Sequence, residues 1–147
     1  MSNKKQIDVN TLSDEDILKM PEKEYMNSTQ LEFFRLKLLF QESEILKNAK
    51  KTTDTLQTQE TTYIADPSDR ATIEEEYALE LRSRDRERKL LQKIRRALEL
   101  IASGGYGFCE DTGEPIGLKR LIARPTATLT IEAQERREKL QRHFAEF

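Results

Sequence analysis

The sequence predicts a mainly α protein: a long antiparallel coiled-coil hairpin with a small globular end. Three observations lead there. Leu31, Phe34, Leu38, Ile45, Ala49, Leu56 and Tyr63 recur close to three- and four-residue spacing, and Ile73, Tyr77, Leu81, Leu91, Ile94, Leu98 and Ile101 do so again after one break. That break, at Asp66-Pro67-Ser68-Asp69, spans only a few residues, so the helices it joins are expected to be antiparallel neighbours. Composition points the same way. With 35% charged residues, 36% apolar ones and no Trp, the chain departs from the usual globular balance of about 25% and 45–50%, and it suits narrow helical seams better than a large core.

Three regions follow from this: an N-terminal segment over 1–26, the hairpin over 27–103 with its tip at 64–71, and a C-terminal region over 104–147. Residues 1 to about 11 are polar and predicted to be loosely attached. Ser13-Asp14-Glu15-Asp16 ahead of Ile17, Leu18 and Met20 predicts a short helix with acidic residues in its first turn, where the dipole favours them, and Pro21 stops it. Asn27 with Gln30 three residues on resembles a capping box, with Met26 stapled onto Leu31.

The first long helix then runs without Gly or Pro as far as Pro67, weakened toward its end by six threonines between Thr52 and Thr62. Pro67 fixes its own φ and biases Asp66 away from the α region. Ser68 or Asp69 is expected to cap the next helix, leaving Asp66 and Asp69 at the far end of the hairpin. The second helix contains a charged stretch, Arg82 to Lys89, read as a solvated face with pairs such as Glu80 with Arg84. It ends at Ser103-Gly104-Gly105, a good C-cap. Two helices of roughly 35 residues make an arm about 50 Å long.

The C-terminal region differs in kind. Tyr106 to Gly117 holds three of the five glycines and predicts tight turns. Leu118 to Ala127 is expected to be short and irregular or extended. Thr130 caps a final helix from Ile131 to about Phe147, whose Ile131, Leu140, Phe144 and Phe147 are expected to face a core.

The net charge of −2 arises from mixed signs, and no helix carries a one-sided basic face, which argues against direct DNA binding. One Cys and one His, with no phosphate-binding or dinucleotide glycine motif, give no basis for an enzyme. Cys109 alone cannot form an internal disulfide. The apolar runs are too short to cross a bilayer, and no apolar segment follows Lys4 and Lys5, so the protein is expected to be soluble and cytoplasmic.

Three blocks together resemble the DksA family of bacterial RNA polymerase regulators. They are Asp66-Pro67-Ser68-Asp69-Arg70-Ala71 with Glu74-Glu75-Glu76-Tyr77, then Leu79-Glu80-Leu81-Arg82-Ser83-Arg84-Asp85-Arg86-Glu87-Arg88-Lys89, then Tyr106-Gly107-Phe108-Cys109-Glu110 through Ile116-Gly117, Arg120-Leu121 and Ala123-Arg124-Pro125-Thr126-Ala127. The likeness runs in order from about Glu24 to the C-terminus.

The resemblance implies a monomer that binds RNA polymerase, inserts the hairpin into its secondary channel and modulates initiation, for instance at ribosomal RNA promoters in the stringent response. The positions matching the functional tip are Asp66, Asp69 and Ala71. Arg82 and Arg86 match contacts to the channel rim. Leu90, Lys93, Arg120 and Arg124 match a site for ppGpp shared with the polymerase, although Gln134 stands where the family has a Lys. A transcript-cleavage factor and a coiled-coil scaffold are the alternatives.

The family's C-terminal zinc site uses two Cys-x-x-Cys pairs. Here the four positions hold Cys109, Thr112, Thr130 and Ala133, so the region reads as a degenerate zinc finger in which hydrogen bonds and packing replace the metal. Zinc is not expected, no cofactor is expected to bind stably, and loss of the thiolate cluster predicts function that withstands oxidants.

Overall fold

The computed structural model describes residues 8–61 and 67–145; the side chains of 52–61 and 67–69 lie outside that description. Five α-helices occur in it: α1 (Asp14–Leu18), α2 (Ser28–Thr61), α3 (Pro67–Ser103), α4 (Leu118–Ala123) and α5 (Ile131–Ala145). No strand occurs among the described residues, only an isolated bridge between Phe108 and Pro115. The chain divides into two compact units, Met1–Leu38 with Arg96–Phe147, and Leu39–Arg95.

The Leu39–Arg95 unit is an antiparallel helix pair. Arg95 of α3 lies 3.7 Å from Glu42 of α2, and Ile45, Leu46 and Ala49 share a groove with α3 residues from Leu81 to Leu91. Ascending α2 numbers therefore meet descending α3 numbers. The helices themselves are long, 34 residues in α2 and 37 in α3, or about 50 Å each. Within the charged stretch, Asp85 bonds Arg88 at 2.8 Å and Lys89 at 3.1 Å. The expected Glu80–Arg84 pair does not form among the described residues, since the short Asp85 side chain collects the cations of the following turn.

The other unit packs α1 against α4, with Ile17 and Leu121 fully buried. Phe33, Phe34, Leu38 and Tyr106 are buried with them, and the Phe34 ring meets Phe33 at 5.3 Å and Tyr106 at 5.6 Å between centroids. Ser13 and Asp16 close a full capping box on α1, and Lys37 of α2 reaches Asp14 at 3.1 Å.

At the start of α2 the Asn27 side chain accepts from the Gln30 amide at 2.9 Å, as expected. The reciprocal bond is displaced by one residue: the Gln30 side-chain oxygen accepts from Met26 N–H, not from Asn27. Met26 adopts a left-handed backbone (φ 55°), which turns its amide toward the helix.

Four expectations change. Helix α3 begins at Pro67, so Ser68 and Asp69 lie in its first turn and do not precede it as caps; proline is favoured at a first helical position because its fixed φ suits the helix and its missing N–H is not needed there. Asp66 lies outside the described residues. Leu118–Ala123 is a helix, not an extended segment, closed by Leu121 N–H to Gly117 O at 3.1 Å and Arg124 N–H to Arg120 O at 2.8 Å. Ile131, Leu140 and Phe144 do not face a core: they are 53%, 56% and 72% exposed, because α5 turns Ala133 inward instead. Phe147 lies outside the described residues. The glycine stop of α3 stands as expected, with Gly104 at φ 85° and the amides of Gly105 and Tyr106 both reaching Leu100 O.

Candidate functional site

The turn module after α3 places three of the four degenerate positions within hydrogen-bonding reach. Gly113 N–H reaches Cys109 O at 2.9 Å, closing a tight turn that sets Thr112 beside Cys109. The paired segments are held by Cys109 N–H to Glu114 O at 2.8 Å and Ile116 N–H to Gly107 O at 2.9 Å. Glu110 N–H to Thr128 O at 2.9 Å brings the second position alongside, where the Thr130 hydroxyl donates to Cys109 Sγ at 3.8 Å. The same Thr130 oxygen accepts from Ala133 N–H at 3.3 Å and caps α5.

Burial of Cys109 opposes its thiolate. Hydrogen bonds from the Thr112 side chain and from the backbone amides of Thr130, Thr112 and Asp111 outweigh this and bring the thiol down to about 6. The arrangement resembles a knuckle whose amides still point at sulfur. Its donors do not fit a structural zinc ion, which requires four sulfur, nitrogen or carboxylate ligands. Only Cys109 supplies one; both threonine hydroxyls are committed to hydrogen bonds, Thr112 accepting from Glu114 N–H at 3.3 Å, and Ala133 has no donor and is buried. Among the described residues no cluster of His, Cys, Asp and Glu could hold a metal.

Other bonds fasten the module. Tyr25 donates to Gly107 O at 2.5 Å and accepts from Gly117 N–H at 3.0 Å, so one hydroxyl ties both sides of the turn, while its ring stands edge-on to Phe108. Burial holds the Tyr25 hydroxyl above its ordinary pKa despite these bonds. Gly107 sits at φ 89° against Met26, and a Cβ there would come within 2.7 Å of the Met26 side chain. The buried Tyr106 hydroxyl donates to Pro125 O at 2.7 Å. Arg137 grips Asp111 through two bonds, one of 2.9 Å, and holds that carboxyl below its usual range. Tyr25 carries no local sequence signal, since its partners lie 82 and 92 residues away.

The positions expected to contact a partner distribute as follows. Asp66 is outside the described residues; Asp69 lies in the first turn of α3, and Ala71 is exposed one half-turn further. Arg82 and Arg86 are exposed on α3 and line a shallow bowl with Leu79, Leu81 and Asp85. Leu90 and Lys93 are exposed on the same helix. In the other unit, Arg120, Arg124 and Gln134 line one hollow between α4 and α5, joined by Lys119 and Glu138, which sequence reasoning did not single out. Arg120 Nε is held by Leu129 O at 2.9 Å, which fixes the guanidinium, and Gln134 donates to Glu138 at 3.0 Å.

A long antiparallel helix pair with a turn-rich, finger-like module of lost thiolates defines a class of helical-hairpin factors. Comparison with known proteins places the chain within it. The profile of the N-terminal domain of DnaK suppressor protein DksA matches residues 30–101, and that of the prokaryotic dksA/traR C4-type zinc finger matches 104–139. The chain is 55% identical over 118 residues to the RNA polymerase-binding transcription factor DksA of Caulobacter vibrioides, covering 80% of this chain and 82% of that protein. The protein of the same description from Escherichia coli strain K12 is 42% identical over 125 residues, covering 85% and 82%. The solved structure of transcription factor DksA2 from Pseudomonas aeruginosa superposes with a TM-score of 0.79 at 46% identity, covering 89% of this chain and all of that one. The chain belongs to the DksA family.

Proposed function

We propose that this protein regulates transcription by binding RNA polymerase directly, with its hairpin inserted into the secondary channel and its tip over 64–71 approaching the catalytic centre. The carrying observation is the helix pair itself, two uninterrupted helices of 34 and 37 residues, in a chain whose relatives are named RNA polymerase-binding factors. A narrow polar rod suits a protein-lined pore, and a net charge of −2 suits a protein partner better than DNA. Asp66, Asp69 and Ala71 act at the tip, where a carboxylate perturbs the magnesium environment or contacts basic elements. Arg82 and Arg86 grip the rim.

Arg120 and Arg124, with Leu90 and Lys93, contribute to a ppGpp site completed by the polymerase. Fixed guanidinium groups suit a polyanionic nucleotide. Gln134 removes one cation from that set, so the ppGpp response is weaker than a Lys would give. The protein acts in the cytoplasm as a monomer, modulates promoters of the ribosomal RNA type without contacting DNA, and does so without zinc. The test is in vitro transcription from such a promoter, comparing wild type with Asp69→Asn, each with and without ppGpp. Inhibition by wild type that Asp69→Asn loses is the expected result; equal inhibition by both discards the tip mechanism.

A further inference from the structure

We propose that Glu87, with the apolar groove it lines, is a docking point for RNA polymerase, which brings a hydrogen-bond donor to the carboxylate and an aliphatic side chain to the groove. This rests on the polymerase reading above. The groove lies within the Leu39–Arg95 unit, has a volume of about 400 Å³, and is walled mainly by Ile45, Leu46, Ala49, Leu81 and Leu91. Leu46 and Leu81 remain 47% and 44% exposed, so the two helices leave apolar surface open at this level where a closed coiled-coil seam would bury it.

Into this setting α3 places a carboxylate. Glu87 Oε2 is removed from solvent and has no hydrogen-bond partner in the chain. Arg84 and Arg88 also line the groove but leave that oxygen unpaired, and Arg88 is held by Asp85. A buried, unpaired carboxylate oxygen in apolar surroundings is costly, and a Leu of similar volume would fit the same wall better. The residue is explained if its partner comes from outside.

Position and charge select the partner. The groove shares Leu81 and Asp85 with the bowl that carries Arg82 and Arg86, so a polymerase segment seated on those arginines continues onto Glu87. A second copy is a poor occupant, because two-fold pairing of groove on groove would set two Glu87 carboxylates against each other.

The test compares wild type, Glu87→Leu and Glu87→Gln for polymerase affinity by competition binding, for thermal melting and for self-association. The Leu variant is expected to melt at or above the wild-type temperature and to bind polymerase about tenfold more weakly or worse, the loss expected of one charge-assisted hydrogen bond. The Gln variant keeps the shape and is expected to lose several-fold. Wild-type affinity in a folded Leu variant overturns the proposal; should that variant fail to fold, unchanged affinity in the Gln variant overturns it. Self-association of the wild type that Glu87→Leu abolishes also overturns it, by naming a second copy as occupant. A wild type that does not bind polymerase overturns the underlying reading and this inference with it.

Discussion

The Thr130 hydroxyl links Cys109 to the start of α5: it donates to the cysteine sulfur at 3.8 Å and accepts the Ala133 amide at 3.3 Å. One side chain thus does locally what a metal bridge does in a zinc finger, joining the turn to the helix. Thr130→Ala removes both bonds in a buried site and is expected to cost about 1–2 kcal/mol, read from urea unfolding. Thr130→Ser keeps the cap and should recover most of that loss.

Tyr25 is the second fastening. Tyr25→Phe leaves Gly107 O and Gly117 N–H without their partner while preserving the ring against Phe108. The expected loss is about 1–3 kcal/mol, visible as a lower melting temperature with unchanged helix content by circular dichroism.

The pH dependence follows from Cys109. Its thiol ionises at about 6 in the fold against an ordinary 9.0, so the folded state favours the thiolate. The corresponding stability is fully present above pH 9 and is lost as pH falls toward 6, so unfolding free energy should rise with pH across that window. Urea titrations should show the rise in wild type and its flattening in Cys109→Ser.

Chelation should have no effect on folding. Overnight treatment with a strong zinc chelator is expected to leave the melting temperature unchanged, and elemental analysis of untreated protein should find far less than one zinc per chain. Stoichiometric zinc whose removal lowers the melting temperature would refute the hydrogen-bonded account of the module.

Much of this was readable from the residues because it is local. Heptad-like spacing marked α2 and α3, Ser103-Gly104-Gly105 marked a helix end, and Thr130 marked a cap. The misreadings have physical causes of three kinds. A six-residue helix such as Leu118–Ala123 is too short for periodicity to register, and only the burial of Leu121 explains it. The apolar residues of α5 follow helical spacing, yet spacing cannot tell whether a facing surface exists. Pro67 was read as a break when it is the first residue of a helix, since proline serves both roles. The site divides the same way: Arg82, Arg86, Arg120 and Arg124 came from motif likeness, whereas Tyr25, Glu87 and Glu138 acquire meaning only through neighbours far along the chain or across a groove.

The two bonds of Tyr25 also set an order of events during synthesis. Its partners are 82 and 92 residues downstream, so a nascent chain that has passed Tyr25 cannot make either bond until Gly107 and Gly117 have emerged. By then the residues of both long helices are already outside the ribosome and free to pair. The N-terminal segment is therefore latched last, and a ribosome that stalls before Gly107 leaves a chain with its helices made and its latch open.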